Sequence, residues 1–124
     1  MNESTDHITI YEYPPCGTCR SAVKWLQNEG WSLERIHIKE TPPSVAVLQE
    51  LIALSGLDIK KFFNTSGEVY KELQLKDKLA GMSLEEKLQL LSAHGMLIKR
   101  PIATDGKRVT IGFKPEAYDE AWSR

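Results

Sequence analysis

The two cysteines of this sequence, Cys16 and Cys19, are separated by two residues and lie between two segments of different pattern. Residues 7–12 alternate apolar and polar side chains, which predicts a β-strand. Over residues 22–26 apolar side chains recur at helical spacing, which predicts an α-helix. Because the two prolines before Cys16 cannot continue a strand ladder, the chain must turn there, and the cysteines fall at the start of the helix.

A thiol in the first turn of a helix ionises more readily than usual, because unpaired N–H groups and the positive end of the helix dipole stabilise an anion. Arg20 follows Cys16 by about one helical turn and is expected to add a positive charge. The thiolate of Cys16 would act as a nucleophile, and Cys19 would resolve whatever Cys16 attacks. The pattern therefore favours a redox dithiol.

Two other interpretations of the cysteine pair stay open. Structural zinc requires four ligands, and His7, His37 and His94 are scattered without the paired spacing of a zinc site. The pair could also be inert and buried, although two such cysteines rarely lie this close at a strand–helix turn.

The composition is that of one ordinary globular domain. The chain has 124 residues, of which 41% are hydrophobic and 27% are charged, and its formal net charge is −1. Without a basic excess, direct nucleic-acid binding is not expected. Neither a signal peptide nor a membrane-spanning stretch is visible, so we expect a cytoplasmic protein. Thiols are kept reduced in that compartment, which favours a catalytic or sensory pair over a structural one.

Residues 33–38 predict a second strand, which completes a β-α-β unit with parallel strands. Ser44 is the predicted N-cap of a helix that ends at residues 55–56. Only helical signals follow, from residue 57 to residue 95.

In that helical region a short turn is predicted around Ile59, Phe62 and Phe63. The two phenylalanines most simply pack into a local core, and a partner surface beside Lys60 and Lys61 is the alternative.

A further helical piece is predicted over residues 69–75. Ser83 and Glu86 then form a capping box that begins the most regular helix of the region. Gly95 is predicted to end this helix as its C′ residue. The apolar face is predicted to contain Leu84, Leu88 and Leu91.

The chain returns to strands at its end. Residues 97–102 and 109–113 predict two strands joined by a hairpin turn at residues 105–106. Pro115 predicts the first turn of a final helix over residues 116–122. A parallel β-α-β unit, a helical block, an antiparallel hairpin and a last helix follow one another in the order of a thioredoxin-like fold.

We therefore predict an α/β protein with a thioredoxin-like, glutaredoxin-type mixed sheet and an inserted helical subdomain. A single domain would cover residues 1–124, with the core at about 6–43 and 96–124 and the insertion at about 44–95. The dithiol would lie at the carboxyl end of the first strand, the usual site edge of an open α/β sheet.

The chain resembles the arsenate reductase-like (ArsC/Spx) family nearly from end to end. The resemblance identifies Pro101 as the cis-proline that faces the active cysteine, and Arg100 as a residue that binds an oxyanion or stabilises a thiolate. Taken alone, Arg100 would be a solvated charge at a strand end. The matching segments are Ile10-Tyr11, residues 15–20, Pro42-Pro43-Ser44, Tyr70 with Leu73, and residues 97–102.

Arsenate reductases of this type hold the oxyanion with three arginines and use one cysteine together with an external thiol. Only Arg100 of the three is present here, because the matched positions hold Asn64 and Lys114. Lysine does not reproduce the bidentate geometry of arginine, so the resemblance implies weak arsenate binding. The chain also carries its own resolving thiol, Cys19.

The cysteine pair is similar to that of the Spx-type branch, whose members are redox-switched transcription regulators. They bind the C-terminal domain of the RNA polymerase α subunit through a surface that includes a glycine. Asp58 matches that position here, and Gly56 is two residues off register.

Our first hypothesis is a small thiol–disulfide oxidoreductase in which Cys16 attacks, Cys19 resolves, Arg20 and Arg100 supply positive charge, and Pro101 shapes the substrate groove. It would need no metal or bound cofactor, only an external thiol reductant such as thioredoxin or glutathione, and its substrate would be a disulfide or oxidised protein. The second hypothesis is a redox-sensing regulator that binds the polymerase α subunit. The third is a true arsenate reductase.

Overall fold

The structure, a computed structural model, describes residues 6–124. It divides the chain into two compact units. The sheet unit consists of the described residues up to His37 together with Arg100–Arg124, and the helical unit consists of Ile38–Lys99. Among the described residues, no helix is both long enough and apolar enough to cross a membrane.

The regular elements follow the predicted alternation, with short 3₁₀ segments between some of the helices. In chain order they are β1 (His7–Glu12), α1 (Gly17–Asn28), β2 (Ser32–His37), α2 (Val45–Ser55), α3 (Glu68–Glu72), α4 (Leu75–Lys78), α5 (Leu84–Ala93), β3 (Ile102–Thr104), β4 (Val109–Ile111) and α6 (Pro115–Trp122). The 3₁₀ segments are Ile59–Phe62, Leu79–Gly81 and Gly95–Leu97.

The sheet unit contains one mixed sheet with the strand order β2-β1-β3-β4. Strands β1 and β2 are parallel, in a register that pairs His7 with Ser32 and Glu12 with His37. Strand β3 is antiparallel to both β1 and β4. The predicted parallel β-α-β unit followed by an antiparallel hairpin is therefore confirmed, and so is the mixed α/β class.

The predicted hairpin turn at residues 105–106 is confirmed in detail. Gly106 has a φ of 92°, a conformation that L side chains rarely adopt. Asp105 Oδ1 accepts hydrogen bonds from the backbone N–H groups of Lys107 at 2.9 Å and Arg108 at 2.8 Å. The short side chain of Asp105 thereby satisfies backbone N–H groups that have no partner in the strand ladder at the point where the chain reverses.

The core of the sheet unit holds α1 against the sheet. Ile8 and Ile10 of β1 pack in one cluster with the buried face of α1 and with the C-terminal Trp122. The indole N–H of Trp31 donates to the carbonyl oxygen of Trp122 at 2.8 Å. The buried face of α1 consists of Cys19, Ala22, Val23 and Leu26. Since these residues recur every three or four positions, the packing that fixes α1 also fixes Cys19.

The helix ends predicted in the helical unit are mostly confirmed. The hydroxyl of Ser44 accepts from the N–H of Val47 at 3.2 Å at the start of α2. Gly56 ends that helix in the left-handed conformation, with a φ of 70°. At α5 both hydrogen bonds of the capping box between Ser83 and Glu86 are present.

The helical piece predicted over residues 69–75 is divided in two at Gln74, whose φ is 56°. In one continuous helix Leu75 would lie on the face opposite Leu73, because successive side chains are about 100° apart. The break brings Leu75 into the core, where 3% of its surface is exposed. Tertiary packing therefore overrides local helix continuity here.

One prediction for α5 is wrong. Leu84 is 60% exposed, whereas Leu88 and Leu91 are buried, so the apolar face begins one turn later than predicted. Gly95 follows the C-cap His94 and is therefore the C′ residue, as predicted, but it begins a 3₁₀ segment and does not adopt a left-handed conformation. A Cβ at Gly95 would lie 1.8 Å from the carbonyl oxygen of Ile38, so close packing requires this glycine.

The prediction of a strand over residues 97–102 is also wrong, except at its last residue, Ile102. The N–H of Lys99 donates to the carbonyl oxygen of Phe62 at 2.8 Å, and the N–H of Asn64 donates to that of Leu97 at 2.7 Å. This segment therefore pairs within the helical unit, and only Ile102–Thr104 joins the sheet. The same region buries Phe62 and Phe63, which confirms their predicted packing into a local core.

Candidate active site

The turn that carries the thiols, residues 13–19, connects β1 to α1. The N–H of Cys16 donates to the carbonyl oxygen of Tyr13 at 2.9 Å and closes the turn. Cys16 is the N-cap of α1, with extended φ and ψ angles of −77° and 123°. Its carbonyl oxygen accepts the first helical hydrogen bond, from the N–H of Arg20 at 3.1 Å. The predicted position of the cysteines at the start of the helix is confirmed.

The two thiols differ in burial, and no disulfide joins them. Cys16 is partly exposed, whereas the exposed fraction of Cys19 is 0%. This difference follows from the helix itself, because Cys19 is the first residue of the buried face of α1 and Cys16 precedes that face. An incoming substrate can therefore reach Cys16 first.

The pKa of Cys16 lies below the usual value for a thiol. Partial burial raises it, but the backbone N–H of Cys19, the thiol of Cys19, the backbone N–H of Thr18 and the charge of Arg100 together lower it by more. Cys16 makes no capping hydrogen bond of ordinary length to these N–H groups. They act on the sulfur mainly as dipoles that favour the thiolate, as expected at a helix N-terminus.

Cys19 behaves in the opposite way, since its pKa is raised to about 12, mainly by burial. The hydrogen bond with the thiol of Cys16 and the negative charge of Cys16 contribute to this increase. Two groups oppose this effect. The backbone N–H of Tyr13 donates to Cys19 Sγ at 3.4 Å, and the charge of Arg100 favours the thiolate. Cys16 is therefore the thiol that ionises more readily, whereas Cys19 stays protonated at neutral pH.

Arg100 and Pro101 form the second part of the site. The guanidinium carbon of Arg100 lies 5.4 Å from the ring centroid of Tyr13, a cation–π contact that keeps its charge near the turn. The Arg100–Pro101 peptide bond is cis, as the family resemblance implied. Pro101 is buried, and its carbonyl oxygen accepts from the N–H of Gly112 at 2.9 Å. Arg100 is thus held within the site and is not a solvated strand-end charge.

Arg20 occupies a different place from the one its spacing suggested. Its Nη1 donates to the carbonyl oxygens of Pro15 at 3.0 Å and Pro14 at 3.4 Å, so it stabilises the turn from outside. Arg100, and not Arg20, contributes to the lowered pKa of Cys16. The two matched positions of the arsenate-binding pattern hold Lys114, which is exposed just before α6, and Asn64 in the helical unit.

Sequence reasoning missed two residues at the end of β1 and the start of the turn. Tyr13 contributes a backbone N–H to Cys19 and its ring to Arg100, and its position directly before two prolines and a cysteine was the available signal. Glu12 lies on the same buried face as Ile8 and Ile10, with 2% of its surface exposed, and accepts a hydrogen bond from Arg35. The signal for Glu12 was its place in the strand, because it continues the alternation of Ile8 and Ile10, and alternate residues of a strand face the same side.

An open groove with a volume of about 560 Å³ runs along the exposed side of α1 next to the thiol turn. The groove is lined by Gly17, Thr18, Ser21, Phe113 and two cationic residues, Arg20 and Lys24. Over residues 6–124 no group of three or more histidine, cysteine or acidic side chains is placed to hold a metal ion.

Comparisons with known proteins place this site in a family. The model of the ArsC family matches residues 11–121. The protein YusI of Bacillus subtilis (strain 168) is 56% identical over 116 residues, which cover 94% of this chain and 98% of YusI. The regulatory protein MgsR of the same organism is 30% identical, with 87% and 84% covered. An arsenate reductase of Escherichia coli (strain K12) is 34% identical, with 95% and 88% covered.

The solved structures agree with the sequences. A crystal structure of an ArsC family related protein from Bacteroides fragilis superposes with a TM-score of 0.87 at 44% identity, and covers 91% of this chain and 95% of that one. The relatives thus include both arsenate reductases and a regulatory protein. The fold of this chain is the thioredoxin-like fold of the solved ArsC relatives. The chain belongs to the ArsC family.

Proposed function

We propose that this protein is a thiol–disulfide oxidoreductase that uses Cys16 as nucleophile and Cys19 as resolving thiol. The observation that carries the proposal is the opposite shift of the two pKa values within one helical turn. Attack requires a thiolate on the accessible sulfur, and the lowered pKa of Cys16 supplies it.

In the first step the Cys16 thiolate attacks one sulfur of a substrate disulfide. A mixed disulfide forms between Cys16 and the substrate, and the other substrate sulfur leaves as a thiolate. In the second step Cys19 gives up its proton to water and attacks Cys16 Sγ, and the remaining substrate sulfur leaves as a thiolate that takes up a proton from water. The substrate gains two electrons, and the protein is left with a Cys16–Cys19 disulfide that an external thiol reductant returns to the dithiol.

The high pKa of Cys19 does not block the second step. Two of the causes that raise it come from Cys16, namely the thiol–thiol hydrogen bond and the thiolate charge. Both end when Cys16 is bound in a mixed disulfide. The N–H of Tyr13 and the charge of Arg100 remain and favour the Cys19 thiolate. Attack by Cys16 therefore removes two of the causes that keep Cys19 protonated, while burial remains the third.

Turnover tests this proposal. Purified protein should reduce a low-molecular-weight disulfide such as hydroxyethyl disulfide, with thioredoxin and its reductase or glutathione as the electron source. Cys16→Ser should abolish turnover, whereas Cys19→Ser should accumulate a mixed disulfide on Cys16. Absence of turnover with both reductants, in protein whose dithiol is intact, would exclude the proposed oxidoreductase function.

A second candidate function is that of a redox-sensing transcription regulator, because one relative is named as a regulatory protein. In this case the Cys16–Cys19 disulfide would change the affinity for a partner, and the resemblance to the Spx-type branch suggests the RNA polymerase α subunit. A stable complex with the α subunit that depends on the redox state, without catalytic turnover, would support this candidate over the enzyme.

A further inference from the structure

The helical unit contains a pocket that belongs entirely to Ile38–Lys99, whereas both thiols belong to the sheet unit. Its volume is about 530 Å³. Pockets of about 300–1,000 Å³ are typical of small-molecule sites in proteins. Four separate segments of the unit contribute side chains to the wall, so the pocket is a feature of the tertiary structure and not of one helix.

Positive charge dominates the pocket. Lys60 comes from the 3₁₀ segment after α2, Lys76 from α4 and Lys87 from α5. None of the three forms an ion pair with a carboxylate among residues 6–124. Three elements therefore each contribute a lysine to the wall of one cavity, and an anion bound there would be attracted by all three.

Asp58 is the one acidic residue of the pocket wall, and its carboxylate already accepts a backbone hydrogen bond. Oδ1 of Asp58 accepts from the backbone N–H of Lys60 at 2.9 Å and caps the 3₁₀ segment. The pocket thus keeps an excess of two positive charges, three lysines against one aspartate. A dianionic group would match this excess.

The rest of the wall indicates more than a bare inorganic ion. Tyr70 of α3 is half-buried, and Leu79 and Ala80 add apolar surface. Lysine acts on phosphate as a compact point charge without the planar fork that suits carboxylates. The hydroxyl and ring of Tyr70 offer a hydrogen bond and a flat apolar face to an organic group.

We propose that this pocket binds a phosphorylated small molecule of the size of a nucleoside diphosphate, with its phosphates on the three lysines and its organic part against Tyr70 and Leu79. The site is separate from the proposed thiol chemistry and does not depend on it.

The test is titration of the reduced, isotope-labelled protein with ADP, pyrophosphate and adenosine at low salt, followed by NMR. ADP and pyrophosphate should bind saturably and compete, and should shift amide signals of the pocket residues. Adenosine should bind at least tenfold more weakly than ADP. No saturable binding of ADP, or equal binding of adenosine and ADP, would overturn the proposal.

Neighbouring lysines provide matched controls. Lys60→Gln and Lys76→Gln should each weaken ADP binding about three- to tenfold. Lys61→Gln and Lys78→Gln, one and two residues away and outside the pocket wall, should change it less than twofold. Equal losses in both pairs would indicate unspecific attraction to a basic surface and would overturn the site.

Asp58→Asn supplies a variant that gains affinity. The amide oxygen of asparagine can still cap the 3₁₀ segment, while the negative charge is removed from the wall. ADP binding should become about two- to fourfold tighter. Damage to the fold cannot produce such a gain, and unchanged or weaker binding would contradict the proposed charge balance.

Discussion

At the scale of single residues, Arg100 connects the two steps of the proposed reaction. Its charge favours the thiolate of Cys16 and also that of Cys19, while its contact with the Tyr13 ring keeps it at the turn. A cation that serves both sulfurs lowers the cost of moving the negative charge from one to the other. Arg20 cannot serve in this way, because its guanidinium is hydrogen-bonded to the carbonyl oxygens of the two prolines.

The different positions of Arg100 and Arg20 predict different effects of their substitution on the pKa of Cys16. Arg100→Met should raise the pKa of Cys16, since a positive charge that stabilises the thiolate is removed, and Cys16 should react more slowly at pH 7. The measurement is the rate of iodoacetamide alkylation against pH, with mass mapping of the labelled cysteine. Arg20→Met is the matched control and should leave the midpoint nearly unchanged. A larger shift in the Arg20 variant would refute the assignment.

The raised pKa of Cys19 predicts how the stability of the reduced protein changes at alkaline pH. Unfolding lowers this pKa from about 12 to the ordinary thiol value of 9.0. The unfolded chain therefore releases the Cys19 proton first, so stability that is present below pH 9 is lost as the pH rises toward 12. Cys19→Ala should show a shallower decrease of the unfolding free energy between pH 8.5 and 10.5 than the wild type. Urea denaturation of both proteins at several pH values would measure the unfolding free energy. Equal slopes of this free energy against pH in the two proteins would contradict a buried, protonated Cys19.

At the scale of elements, the helical unit depends on one close approach of backbone to backbone. Gly95→Ala would place a Cβ 1.8 Å from the carbonyl oxygen of Ile38, and neither group is the flexible end of a side chain. The chain must shift, at a cost of about 1–3 kcal/mol or more. Urea denaturation should show this loss.

Gly81→Ala is the control for that experiment. A Cβ at Gly81 would meet nothing within 4 Å, and the φ of this glycine is not positive. Alanine should therefore change the unfolding free energy by less than about 1 kcal/mol, with stabilisation as the expected direction. Equal effects of the two substitutions would show that contact with Ile38 is not the reason for Gly95.

An element could be predicted when the interactions that define it join residues close in sequence. The caps at Ser44 and Ser83 and the hairpin at residues 105–106 are made by side chains near in sequence, and all were predictable. The break at Gln74 and the close contact of Gly95 are set by packing with residues far along the chain. No periodicity within a short segment contains that information.

The same distinction applies to the site. The places of Cys16 and Cys19 followed from spacing and from the helix they begin. The importance of Arg100 came from resemblance, because a single arginine before a proline carries no chemical signal of its own. The contribution of Tyr13 to Cys19 is made by a backbone N–H, which every residue except proline possesses, so no residue type could reveal it.

At the scale of the whole molecule, the remaining question is which chemistry the family fold performs here. The relatives include arsenate reductases, but in this chain two of the three arginines implied by the resemblance are replaced by Asn64 and Lys114. Each lost charge-assisted contact costs about 1.5–3 kcal/mol, and Lys114 compensates only in part because it lacks the arginine fork. Arsenate should therefore bind weakly although the pKa of Cys16 is lowered.

Arsenate reduction coupled to thioredoxin or glutathione tests this expectation against the proposed disulfide chemistry. The wild type should turn over hydroxyethyl disulfide and show little arsenate reduction at micromolar arsenate. The double variant Asn64→Arg, Lys114→Arg should raise arsenate reduction by at least about tenfold, since two forked donors of at least 1.5 kcal/mol each are restored, and should leave disulfide reduction nearly unchanged. Lys24→Arg is the control, because it adds an arginine on α1 at a position that the resemblance does not assign to the oxyanion. Robust arsenate turnover by the wild type would instead mean that Arg100 and the helix N-terminus suffice to hold the oxyanion, and would make arsenate reductase the better description.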